Sequence, residues 1–119
     1  MMEKASETNE KLEVLWTSGD REVALKMMLM YTINGKAKGW WQDINIIIWG
    51  PSAKLLCEDE ELKEQVKKAM HVGISFEACR ACADLYGVTE ALEKLEIDVK
   101  YMGEPLTRLI KEKVNLITL

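Results

Sequence analysis

Long apolar runs are missing from this chain. The most extended, such as residues 46–50 and 23–25, fall far short of the about 20 apolar residues that a bilayer span needs. A transmembrane protein is therefore excluded, and no stable membrane insertion is expected. Residues 1–10, MMEKASETNE, carry no apolar stretch of the kind that marks a secretory signal, so the expected compartment is the cytoplasm. A basic excess is missing too. The 16 Lys and Arg are outnumbered by 20 Asp and Glu, giving a net charge of −4, and no nucleic-acid partner is expected. Gly-x-Gly-x-x-Gly, the P-loop and His-Glu-x-x-His do not occur, so nothing calls for a cofactor. There is no internal repeat and no low-complexity tract. Histidine occurs once, and the cysteines number three.

The 119 residues are 48% hydrophobic and 30% charged, an ordinary globular balance that rules out disordered and collagen-like classes. The length suits one domain that buries roughly two thirds of its unfolded surface without staples. Residues 1–10 read as a flexible tail and 11–119 as a single domain.

From Lys11 the pattern is regular. KLEVLWT reads as a strand, Ser18-Gly19-Asp20 as a turn, and Asp20 as the cap of a helix over 21–34 that stops at Gly35. Val23, Ala24, Leu25, Met27, Met28, Leu29, Met30 and Ile33 leave that helix little polar face. Such a helix must be covered on two sides, and in a small domain the second cover is expected to be another subunit. Residues 36–42 read as a loop carrying Trp40 and Trp41. DINIIIW, residues 43–49, is the most strand-like run, as expected of a central parallel strand. Helices follow at 51–57 and 60–70, a strand at 72–77, helices at 80–86 and 89–95 (the latter capped by Thr89), a strand at 98–102, a helix at 105–113 and a strand at 114–119. Trp16 and Trp49 fall in strands and read as core, whereas Trp40 and Trp41 would lie at a subunit contact or line a pocket. Alternating strands and helices argue for an α/β fold with a mostly parallel sheet covered on both faces.

Ligands of open α/β sheets bind outside the carboxyl ends of the strands. That rule gathers Thr17, Ser18 and Gly19 after the first strand, Gly50, Pro51 and Ser52 after the second, Cys79 and Arg80 after the third, and Gly103 and Glu104 after the fourth. Each also has a plain structural reading, since turns need Gly and helix starts need Ser or Thr. Cys79 is the sharpest of them. It stands between a strand and a helix, so its sulfur should face the free N–H groups of the first helical turn, which favour a thiolate nucleophile, with Arg80 adding positive charge. Cys82 completes a Cys-x-x-Cys at a helix start, with the first sulfur expected exposed and the second a turn further in. The spacing suits a reversible disulfide, with Cys82 as resolving thiol.

Cys57 sits in LLCEDEE among acids that raise a thiol pKa, and reads as structural. His71 lies at the far end of the strand from Cys79, too distant for a Cys–His dyad. Metal binding is not expected, because zinc wants four ligands and there is no second Cys-x-x-Cys; only a site shared between subunits could draw on Cys57 and His71.

The stretch HVGISFEACRACADLYGV resembles the signature of the DsrE/DsrF-like (TusD-like) sulfur-relay family. In that signature a strand ends at a cysteine, a helix rich in small residues follows, and Gly-Val closes it. The matching positions are Val72, Ile74, Cys79, Gly87 and Val88. The order of elements from Lys11 to Leu119 is similar as well. The resemblance implies a three-layer α/β/α sandwich with a five-stranded, largely parallel sheet, and self-assembly as a trimer or hexamer. It also implies that Cys79 accepts sulfane sulfur as a persulfide from a donor protein and passes it to an acceptor protein. Cys82 is not an invariable part of the pattern, and its presence leaves open a disulfide with Cys79. Two other readings stand beside the carrier: an oligomeric module binding a small anionic ligand, and a Cys79/Cys82 dithiol redox protein.

Overall fold

The computed structural model describes residues 10–119. The tail expected over 1–10 lies outside the described residues except at Glu10, whose carbonyl accepts the Gln42 N–H. Five strands form one parallel sheet: β1 (Lys11–Trp16), β2 (Asp43–Ile48), β3 (Ser75–Cys79), β4 (Asp98–Lys100) and β5 (Asn115–Thr118). Their spatial order is β4-β3-β2-β1-β5, so the β-rich DINIII segment is the middle strand, as its apolar run predicts.

The helices are α1 (residues 21–37), α2 (Pro51–Glu58), α3 (Glu60–His71), α4 (Arg80–Tyr86), α5 (Thr89–Lys94) and α6 (Gly103–Lys111). The chain steps from β1 to β4 in one direction, and right-handed crossovers then place α1 to α5 on one face of the sheet. The connection from β4 to β5 runs back across the sheet and places α6 on the other face. The result is an α/β sandwich with two helical layers of unequal weight.

The main core lies under the five helices. Val14, Trp16, Ile46 and Ile48 are fully enclosed there with Met28, Leu56, Leu62, Val66 and Leu92. Each such aliphatic side chain contributes about 1.5–3 kcal/mol by leaving water. Successive strand residues point to opposite faces. Leu15 and Ile47 therefore join a separate small cluster with Cys79 and Met102 on the α6 side.

Several boundaries differ from the sequence reading. Helix α1 does not stop at Gly35. It runs through an α-turn (Arg21–Val23), a π-helical stretch (Ala24–Leu29) and an α-helical end (Met30–Ala37). Gly35 is buried within the helix, and a Cβ there would stand 3.3 Å from Trp41 Cδ1, so the glycine serves close packing rather than termination. The loop after it shortens accordingly. Val88, not Thr89, precedes α5, and the Thr89 hydroxyl instead donates to Asp84 Oδ1. Strand β3 begins at Ser75 and ends on Cys79, while β4 ends at Lys100 and lets α6 begin at Gly103. The apolar α1 is covered on one side only. Ala24, Met28 and Leu29 are buried, whereas Met27 and Met30 are 43% and 52% exposed.

Candidate functional site

A dithiol site forms where β3 runs into α4. Cys79 is the last strand residue and the N-cap of α4, with extended backbone (φ −71°, ψ 115°). Cys82 lies one turn further on. The strand alternation that sends Phe76 and Ala78 into the main core turns Cys79 to the opposite face. There it packs with Ile47 and Met102, and Leu15, Trp49, Cys82 and Leu109 close around them.

The two sulfurs are arranged in the reverse of the expected order. Cys79 is the buried thiol and Cys82 the partly exposed one. The cradle of helix N–H groups is not present either, because Cys79 makes no side-chain hydrogen bond to the start of α4. Its side chain leaves the strand toward Ile47 and Met102, into an apolar cluster, rather than along the helix axis. What Cys79 has in place of that cradle is Cys82, which packs in the same cluster. Burial, and then the neighbouring Cys79 thiol, push the Cys82 thiol above its ordinary range, while the Gly50 backbone acts in the opposite sense. The thiol form of Cys82 is thus favoured beside Cys79.

Gly50 turns sharply between β2 and α2, at φ 76° and ψ −136°, a conformation that disfavours any side chain. The other turn residues have structural work. The Ser52 hydroxyl is buried; it donates to the Trp16 carbonyl (2.5 Å) and accepts the Trp49 N–H (3.2 Å), tying β1 to β2. Pro51 occupies the first turn of α2, and a Cβ on Gly19 would meet it at 3.2 Å. Thr17 donates to the Leu119 carbonyl through both N–H (2.7 Å) and hydroxyl (3.0 Å), and Ser18 N–H donates there as well. The crevice between β1 and β5, where the strand order reverses, is thereby bridged by the chain itself. Arg80 turns away from the thiols, donating to the Val99 carbonyl at 3.1 Å and pairing with Glu93. Gly103 is exposed at the first position of α6. Of the gathered residues, then, only Cys79 comes together with Cys82, and Thr17, Ser18, Gly19, Pro51, Ser52, Arg80, Gly103 and Glu104 do not join them, while Gly50 shapes the neighbouring turn.

The walls of the site were not singled out by sequence. Trp49 is half-buried against the thiols rather than in the main core, and Met102 and Leu109 complete the enclosure. The period-2 alternation of β2, which aligns Ile47 with Trp49, is the signal that could have found the first of these. On the same face, toward the amino ends of the strands, Asn45 Nδ2 donates to both Glu13 (2.9 Å) and Glu77 (2.8 Å), and Ser75 donates to Asn45 Oδ1 (2.7 Å). Burial holds the Glu13 carboxyl above its ordinary range. Asn45 opposes this and Glu77 reinforces it.

Cys57 sits on α2 against the main core, and burial is the first cause that raises its thiol pKa; Glu58 adds to it and Lys63 opposes. His71 ends α3, at the opposite end of β3 from Cys79. It lines a cleft of about 370 Å³ with Lys67, Lys94 and Glu96. That cleft holds no thiol, and the chemistry of the dithiol site, rather than the size of the cleft, identifies the candidate centre. Among the described residues no three His, Cys, Asp or Glu side chains gather as a metal site, and no helix is long and apolar enough to cross a membrane.

No family model and no curated protein matches the chain. Solved structures do. The chain is similar to BT1422 from Bacteroides thetaiotaomicron, described as a conserved protein of unknown function. The identity is 37% and the TM-score 0.94, over 98% of this chain and 100% of that one. It is also similar to MTH1491 from Methanobacterium thermoautotrophicum, a protein of unknown function. There the identity is 18% and the TM-score 0.75, over 92% of this chain and 98% of that one, a likeness of fold alone.

Proposed function

The chain belongs to the same family as BT1422 of Bacteroides thetaiotaomicron, and we propose that it is a sulfur carrier of the DsrE/DsrF-like kind, with Cys79 as the residue that bears the sulfur. The observation that carries this reading is the pair of free thiols, Cys79 and Cys82, packed in one small cluster at the carboxyl end of β3. A strand ending on a cysteine that opens a helix is also the feature on which the family resemblance rests.

The chemistry needs no cofactor. The Cys79 thiolate attacks the outer sulfur of a donor persulfide, the donor thiolate leaves with the bonding electrons, and a persulfide remains on Cys79. An acceptor thiolate then takes the outer sulfur by the same step, so no net oxidation occurs. Cys82 packs in the same cluster as Cys79, in the place expected of the helix N–H groups. Ile47, Met102, Trp49 and Leu109 shield the site from bulk water. The same reading includes self-assembly, supported by Met27 and Met30, which the single chain leaves exposed on α1. Donor and acceptor proteins are its remaining partners.

The test is sulfur uptake by intact mass after incubation with a sulfane donor. The wild type is expected to gain about 32 Da per chain, the mass of one persulfide sulfur. Cys57→Ser is expected to do the same and Cys79→Ser to gain none. Uptake by Cys79→Ser at the wild-type rate overturns the reading.

A further inference from the structure

Cys82 is not required by a carrier that only receives and passes on sulfur, yet it packs in the same small cluster as the cysteine that would bear the persulfide. Three observations define what it can do. Both thiols are free, and they lie three residues apart across a strand–helix junction, the Cys-x-x-Cys arrangement that closes a disulfide readily. Cys82 is the partly exposed member, so a small leaving group displaced beside it has a way out to solvent. Among the described residues no other nucleophile lies beside Cys79: the other side chains of its cluster are apolar, Cys57 packs in the other core cluster, and His71 is at the far end of β3.

We propose that Cys82 resolves a Cys79 persulfide, closing a Cys79–Cys82 disulfide and releasing hydrogen sulfide. This rests on the carrier reading of Cys79 and adds to it a second outcome for the bound sulfur. Cys82 passes its proton to the outer sulfur of the persulfide and then, as thiolate, attacks the inner sulfur, the one attached to the Cys79 side chain. A bond forms between the two cysteine sulfurs, and the bond to the outer sulfur breaks. That outer sulfur leaves as hydrosulfide with the electron pair and carries the proton Cys82 gave away. The outer sulfur is reduced to the sulfide level while the two cysteines are oxidised to the disulfide. A dithiol reductant then returns the pair to the free state. The protein is a carrier while an acceptor arrives faster than Cys82 attacks, and a sulfide-releasing protein when none arrives.

The test loads the full-length protein with inorganic polysulfide, removes the excess, and follows sulfide release and mass with time. Trypsin cuts after Arg80, placing Cys79 on peptide Ala69–Arg80 and Cys82 on Ala81–Lys94. The wild type is expected to lose its added sulfur as one equivalent of sulfide while the two peptides become disulfide-linked. Cys82→Ser and Cys82→Ala are expected to hold the about 32 Da on Ala69–Arg80 at least about tenfold longer, with no sulfide released. Loss from both variants as fast as from the wild type, or a wild type that keeps its sulfur and forms no linked peptides, overturns the resolving role alone. Failure of every one of these proteins to gain sulfur on Ala69–Arg80 overturns the carrier reading and this inference together.

Discussion

The two faces of the sheet are built from the same strands and do different things. On one face Leu12, Val14, Trp16, Ile44, Ile46, Ile48, Phe76 and Ala78 lie under five helices, none more than 5% exposed. On the other, Glu13, Asn45 and Glu77 share the surface with Leu15, Ile47 and Cys79, under a single helix, α6, none of whose residues is buried. One step along a strand separates Ile46 from Ile47 and Ala78 from Cys79. The chain thus places its stability on the heavily covered face, and its thiols and half-buried carboxylates on the thinly covered one.

The comparison breaks first on stability. Ile46→Ala, in the sealed core, is expected to cost about 2–5 kcal/mol, and Leu15→Ala on the thin face less than half of that. Urea unfolding at unchanged m-value reads both, and equal losses would erase the distinction between the faces. Ser52→Ala, at the seam where β1 and β2 end, should cost about 1 kcal/mol for the lost hydrogen bond to the Trp16 carbonyl. It should leave sulfur uptake unchanged; a lost uptake would return Ser52 to the site.

The smallest effect has the opposite sign. Glu13 is held above its ordinary carboxyl pKa of 4.5, chiefly by burial. The folded state therefore keeps a proton that the unfolded state releases, and stability falls as pH rises from 4.5 through the folded value. Glu13→Gln removes that loss, and the Gln carbonyl can still accept from Asn45. The variant should melt slightly higher than the wild type at pH 7 and match it near pH 4. An equal or lower melting temperature at pH 7 would mean that the thin face solvates Glu13 fully.

The fold was legible because alternation and turn chemistry act locally. KLEVLW and DINIII alternate or run apolar as strands do, Asp20 caps α1 through the N–H groups of Glu22 and Val23, and Gly87 closes α4 in the left-handed conformation. What escaped was set by contacts distant in sequence. Gly35 stays helical because Trp41 packs against it. Arg80 turns away because Val99 and Glu93 lie where its side chain finds partners. The Cys-x-x-Cys was plain, but which sulfur lies deeper depends on β3 ending on Cys79 itself, so that the strand's alternation rather than the helix's rotation sets its direction. The bridge from Asn45 to Glu13 and Glu77 requires the sheet register, which no local pattern encodes.

The central claim is that one sulfur among three receives the cargo, and the most direct measurement is where added sulfur sits after brief exposure of the native wild type to a sulfane donor, alkylation and tryptic digestion. The expected result is about 32 Da on Ala69–Arg80, with the peptides carrying Cys57 and Cys82 unmodified at short times. Sulfur found first on the Cys57 peptide, or spread evenly over all three, would contradict the account.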